Sequence, residues 1–217
     1  MTPDDSETTS TDRERERMRM VERQLRPRGI HDERVLAAMA SVPREAFLPE
    51  DQRRRAYRDG ALRIGEGQTM SQPWIVACMA QLLELDGSET VLEVGTGSGY
   101  AAAVLSLLCR ELVTVERYES LALEAGALLG QLGYRNVEVR VGDGTLGAPD
   151  RAPFGGISVT ATAREEPPPA LREQLAPGAA LVCPVEHGGR EHLMRFRDGE
   201  EEAVTGVRFV PLVSDEP

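Results

Sequence analysis

Residues 91 to 100 read VLEVGTGSGY, an apolar run broken by Gly95, Gly97 and Gly99 and followed by the helical pattern AAAVLSLL. Three alternating glycines between a buried strand and a helix let the backbone approach a ligand closely and point a helix N-terminus at it. A plain strand-to-helix turn would need one glycine. Thr96 and Ser98 add hydroxyls to the loop, and carboxylates recur nearby: Glu93 before the glycines, Glu116 at the end of LVTVE, and Asp143 in VGDG, directly before Gly144. Thr160 closes ISVT in the same way. Carboxylates at successive strand ends mark the rim where open α/β sheets bind ligands. A dinucleotide fingerprint is excluded because Tyr100 stands where its last glycine belongs. A phosphate-binding P-loop is excluded because the chain has no lysine.

A second hydroxyl pair lies in IGEGQTMSQPW, residues 64 to 74. Thr69 and Ser71 have no histidine, cysteine or lysine beside them, and a hydroxyl without a base is a poor nucleophile. Pro73 suits the first turn of the helix PWIVACMAQLLEL, so Ser71 can cap that helix from Gln72 onward or orient a substrate group. The two roles are compatible, because a helix N-terminus favours an anion.

The elements that carry these residues follow from periodicity. Residues 1–14 read as a disordered acidic tail, and 15–217 as a single domain. Within it, 15–85 supplies N-terminal helices and the loop with Thr69 and Ser71, and 86–213 a sheet core. Helices are expected from Arg15 to about Leu25 and after the N-cap Asp32, with residues 44 to 70 irregular. From TVLEVG onward, strands alternate with helices, which implies a mostly parallel, doubly wound α/β sheet. HLMRFRDG and AVTGVRFVPLV lack a helix between them and read as a C-terminal antiparallel hairpin.

Composition narrows the partners. The 25 basic residues, all arginine, face 36 acidic ones, a net charge of −11 that disfavours a nucleic-acid partner. Cys78, Cys109 and Cys183 are odd in number and unpaired in spacing, which fits buried thiols in a reducing compartment. No signal-peptide h-region and no membrane-length apolar run is visible, so the expectation is a cytoplasmic protein without a membrane partner. His31, His187 and His192 read as surface residues, no metal site is expected, and a monomer is the default.

The GxGxG loop preceded by Glu93 resembles the first motif of class I S-adenosylmethionine-dependent methyltransferases, whose Rossmann-like fold matches the α/β reading. An acidic residue there suits a cofactor that carries an ammonium and a sulfonium. Together VPREAF, AYRDGALRIGEGQTMSQPWIVACM, VLEVGTGSGY, VGDGTLG and APFGGISVTATA resemble the protein-L-isoaspartate O-methyltransferase family. The likeness spans about residues 18 to 213, and the QTMSQP segment is its most specific part. It implies methyl transfer from S-adenosyl-L-methionine to the free α-carboxylate of L-isoaspartyl residues in aged proteins and peptides, which starts repair through a succinimide. It also implies that Glu116 binds the ribose hydroxyls, that Asp143 contacts the adenine, and that Ser71 is the active-site serine with Thr69 beside it. Thr160 faces the same rim.

That reaction explains the missing base. A carboxylate with a pKa near 3.7 is ionised at neutral pH, so alignment and exclusion of water suffice. The chain departs from the family pattern at Arg63, Gly155 and Arg164, positions expected to border the substrate groove. Two alternatives remain open at this level: methylation of Asp in one dedicated peptide, and a non-catalytic cofactor-binding relative.

Overall fold

The computed structural model describes residues 10–214. Helix α1 (Ser10–Met20) begins inside the stretch expected to be disordered, and the rest of that expected tail, residues 1–9, lies outside the described residues. Ion pairs Arg13–Glu16 and Arg15–Asp12, three residues apart, support the helix, and Arg17 anchors it by donating to the Ala40 carbonyl at 2.6 Å. The chain then winds through a π turn (Val21–Leu25) and a 3-10 turn (Arg26–Arg28). Helix α2 (Glu33–Ser41) starts at Asp32, whose carboxylate caps it by accepting from the Arg34 and Val35 amides, as the sequence suggests.

Residues 44 to 70 are more ordered than expected. They hold two 3-10 turns (Arg44–Phe47 and Glu50–Arg55) and a small antiparallel ladder, β1 (Leu62–Arg63) with β2 (Thr69–Met70). The segment from Gly65 to Gln68 is therefore a hairpin tip, closed by the Gln68 amide on the Gly65 carbonyl at 2.9 Å. Helix α3 (Pro73–Leu82) follows with its apolar side buried.

The sheet core is built from β3 (Thr90–Val94), α4 (Tyr100–Ser106), β4 (Glu111–Glu116), α5 (Glu119–Gln131) and β5 (Val137–Val141). It continues through β6 (Phe154–Val159), β7 (Ala163–Arg164), α6 (Pro169–Glu173), β8 (Leu175–His187), β9 (Arg190–Arg197) and β10 (Glu200–Gly206). Strand order is β10-β9-β8-β6-β3-β4-β5, with β7 paired to β8. All pairs are parallel except β8 with β9 and β9 with β10. Val91 and Leu112 pack into one core under the N-terminal helices, whereas Leu92 and Val113 enter a second core on the opposite face. That alternation shows why these strands read as continuous apolar runs: both faces are covered. The three cysteines are buried, and burial pushes the Cys78 thiol up to about 11.

The last expected strand is shorter than the sequence suggests. It ends at Gly206, and residues 207–213 form an extended strap over the strand ends. The Val207 amide donates to the Glu191 carbonyl, the Thr162 amide to Val210, and the Leu212 amide to Thr162. From β3 the chain moves outward to β4 and β5, then returns to place β6 on the other side of β3. The crevice between the carboxyl ends of β3 and β6 is the topological switch point, the standard ligand position in such sheets.

Candidate active site

At the switch point the two strand ends are stitched together. The Thr160 amide donates to the Val94 carbonyl at 2.9 Å, and Thr160 Oγ1 lies 3.0 Å from Val94 O and 2.8 Å from Gly95 O. A Cβ on Gly95 would fall 2.3 Å from that hydroxyl oxygen, at a φ of +93°. Glycine is therefore required on two grounds, space and backbone conformation. Glu116 braces the next part of the loop: Oε2 accepts from the Gly97 amide at 2.8 Å and Oε1 from the Tyr118 amide at 3.1 Å. Each oxygen keeps further accepting capacity.

A cavity of about 370 Å3 opens here, within the size range of small-molecule sites. Gly95, Thr96, Gly97 and Ser98 form one wall, Glu116, Tyr118 and Gly144 another, and Thr69 and Ser71 a third. The strap from Val210 to Val213 covers it. A second cavity, about 660 Å3, lies between α3 and the C-terminal hairpin. Thr69, Ser71, Thr160 and Val210 line both. The Thr69 and Ser71 hydroxyls thus stand where the two spaces meet, and neither has a hydrogen-bond partner among the described residues.

Ser71 does not cap α3. The N-cap is Gln72, and no side chain caps the helix. Pro73 has no amide hydrogen, so the free donors of the first turn are those beyond it, next to the second cavity that Gln72 and Ile75 line. What fixes Ser71 is Arg44, which the sequence reading missed. Arg44 is fully buried, donates from Nε to the Ala56 carbonyl at 2.8 Å and from Nη2 to the Ser71 carbonyl at 2.7 Å, and lies 4.6 Å from the Tyr100 ring. An arginine after a proline carries no sequence signal of burial.

Three expected ligand-side residues sit elsewhere. Glu93 is fully buried and does not line the cavity. It shares the strand face of Val91, so its side chain turns into the interior, not out through the strand end. There Thr96 Oγ1 lies 2.6 Å from Thr114 Oγ1, which donates to Glu93 Oε2 at 2.6 Å, while Oε1 has no partner. Gly99 is the N-cap of α4 and its missing Cβ admits Ala125 and Leu129 of α5, a packing role. Asp143 caps a short turn by accepting from the Thr145 amide and hydroxyl, and Ser214 donates to its other oxygen. It presents Gly144, where a Cβ would meet Val94 at 2.4 Å, to the cavity instead of lining it.

His31 and His187 are exposed as expected, but His192 is half-buried and lines the second cavity with Arg190 and Arg208. Neither Arg63, Gly155 nor Arg164 lines either cavity, so the departures from the family pattern fall outside the groove they were expected to border.

The sequence pattern of the protein-L-isoaspartate(D-aspartate) O-methyltransferases matches residues 15–217. The chain belongs to the protein-L-isoaspartate O-methyltransferase family. It is 55% identical over 192 residues to the protein-L-isoaspartate O-methyltransferase of a Roseiflexus species, covering 86% of this chain and 87% of the relative. It is 49% identical over 204 residues to that of Herpetosiphon aurantiacus, covering 92% and 91%. A solved protein-L-isoaspartate O-methyltransferase superposes with a TM-score of 0.78 at 28% identity, over 94% of this chain and 66% of the other. A Plasmodium falciparum structure named as a putative enzyme of this family, in complex with S-adenosyl-L-homocysteine, shares the fold with a TM-score of 0.75 at 23% identity, over 91% and 98%. As a member of the isoaspartate methyltransferase family, the chain is an S-adenosylmethionine-dependent protein carboxyl methyltransferase. The close-approach glycine, the Glu116 acceptors and the cavity volume fit that cofactor.

Two outcomes follow from this geometry. Gly95→Ala should weaken S-adenosylhomocysteine binding at least ~10-fold, about 1.4 kcal/mol, in titration calorimetry, with the far-ultraviolet spectrum retained. The second concerns Glu93, whose carboxyl is raised from 4.5 to about 8 by burial, with the Thr114 hydrogen bond opposing and the Glu116 charge adding. The folded chain then holds this proton more tightly than the unfolded chain, so stability contributed below pH 4.5 is lost as pH rises towards 8. Urea unfolding at pH 5.5 and pH 8 should show the parent losing more stability than Glu93→Gln, and equal losses would contradict a protonated Glu93.

Proposed function

We propose that the junction of the two cavities is where the methyl group passes to the free α-carboxylate of an L-isoaspartyl residue in an aged protein or peptide. The observation that carries this reading is the set of four residues, Thr69, Ser71, Thr160 and Val210, common to both cavities. The glycine-loop cavity takes S-adenosyl-L-methionine and the larger one the peptide. Glu116 receives the ribose hydroxyls, and the backbone from Gly95 to Ser98 allows the close approach. Asp143 supports Gly144 and the adenine wall from behind.

When bound, the cofactor supplies a methyl group already activated by a positive sulfur. The chain's own residues then need to place an anion. The Ser71 and Thr69 hydroxyls donate to the isoaspartyl carboxylate, and the uncapped start of α3 adds a favourable dipole. Arg44 holds the Ser71 carbonyl, which sets where its hydroxyl stands. The strap from Val210 to Val213 keeps water away from the reacting oxygen. No base is required, because the carboxylate is ionised at neutral pH.

The net charge of −11 supports a protein substrate over a nucleic acid, and the three buried thiols support a reducing, cytoplasmic setting. A monomer suffices, since one chain supplies every residue of the junction.

Labelled S-adenosylmethionine offered with matched isoaspartyl and aspartyl peptides should give base-labile methyl groups on the isoaspartyl peptide alone. Transfer to the aspartyl peptide would instead indicate a dedicated-peptide enzyme, and transfer to neither would sink the reading. Ser71→Ala should lower kcat by about 10- to 100-fold, through lost alignment of the carboxylate with the methyl group. Its affinity for S-adenosylhomocysteine should stay within about twofold. Equal losses in both would assign Ser71 a purely structural role.

A further inference from the structure

The peptide cavity carries two arginines that the methyl-transfer reading does not use. Arg190 opens β9 and Arg208 lies in the strap just beyond β10. The hairpin register pairs Gly206 with His192, and the Val207 amide continues it by donating to the Glu191 carbonyl at 3.0 Å. Arg208 and Arg190 both line the cavity that Ser71 and Thr69 border.

Neither arginine has an ion-pair partner among the described residues. Some arginines of this acidic chain do form ion pairs, as in Arg26–Glu33 at 2.6 Å and Arg140–Asp150 at 2.6 Å. The two carboxylates of the cavity, Glu186 and Glu191, are held by neutral donors and not by these arginines. Glu186 Oε1 accepts from the Gly189 amide at 2.8 Å, while Glu191 Oε2 accepts from the Thr162 hydroxyl at 2.7 Å and the Phe209 amide at 2.9 Å. Both acids are engaged in holding the hairpin turn and the strap.

The geometry points to Arg190 and Arg208 as a specificity subsite for an acidic side chain, Asp or Glu, flanking the isoaspartyl residue in the substrate peptide. This rests on the peptide occupying the larger cavity. The reacting carboxylate itself belongs at the Thr69, Ser71 and Thr160 junction, where the two cavities meet, so the arginine pair is left for a neighbouring residue. Two exposed arginines act modestly in water, so the subsite grades peptides and does not gate them. Its effect is electrostatic and weakens with salt.

The test uses isoaspartyl peptides of one length that differ only in carrying Glu, Gln or Arg within three positions of the isoaspartate. Fluorescence anisotropy on protein saturated with S-adenosylhomocysteine gives peptide affinity without turnover, and initial rates give KM and kcat. Affinity should rank Glu over Gln over Arg, with about a fivefold step from Gln to Glu at low salt. Arg190→Gln with Arg208→Gln should remove that step, so that the Glu peptide loses about five times more affinity than the Gln peptide. Equal losses for all three peptides would overturn the proposal and place the reacting carboxylate at the arginines. An affinity order independent of flanking charge would overturn it as well. Should the binding order hold while no peptide is methylated, the methyl-transfer reading fails and the subsite stands.

Discussion

The close approach of Gly95 to Thr160 is the contact on which the site depends. It joins the ends of β3 and β6, the neighbouring strands from which the chain departs in opposite directions, and a single methyl group at Gly95 would displace the Thr160 hydroxyl that joins them. The glycine loop, braced by Glu116, and the floor of the cavity adjoin that joint. A switch point is a crevice in any doubly wound sheet. Here the missing Cβ makes it narrow enough to grip a ligand by its backbone.

Around the joint, different kinds of element wall the two cavities. The parallel strands are covered on both faces, and their ends wall the glycine-loop cavity. The second cavity is walled by a hairpin, an uncapped helix start and a strap. Arg44 connects the two regions. A guanidinium without a carboxylate nearby is costly to bury, and burial lowers its pKa from the usual value. What it gains is geometry, since one planar group reaches two carbonyls twelve and 27 residues away in sequence and stacks on a cavity-lining tyrosine.

Most of the architecture was legible in the sequence because strand and helix periods are local. VLEVGTGSGY and the alternation after it placed the sheet, the glycine loop and Glu116. Side-chain direction at the strand ends was harder to read. Glu93 and Asp143 fall at the rim by position, yet one turns inward with Val91 and the other folds back on its own turn. Arg44, His192 and the strap depend on contacts between distant segments, which leave no periodic trace. The strap reads as a strand because VRFVPLV has the composition of one. Pro211, which cannot donate to a ladder, was the available warning.

Four Asp-Gly steps occur in the chain, at Asp59, Asp86, Asp143 and Asp198. These are the steps at which a polypeptide ages most readily, when the glycine nitrogen attacks the aspartyl side chain. In the folded protein every one of those carboxylates is tethered: Asp59 to Arg28, Asp86 to the Ser88 amide, Asp143 to the Thr145 amide, and Asp198 to the Gly178 amide. Each tether opposes the swing of the carboxyl towards the nitrogen, so local opening of the turn favours damage. The clock of this molecule's own ageing is thus set by how often those turns come undone, and the Asp143 turn that backs the cofactor cavity is one of them.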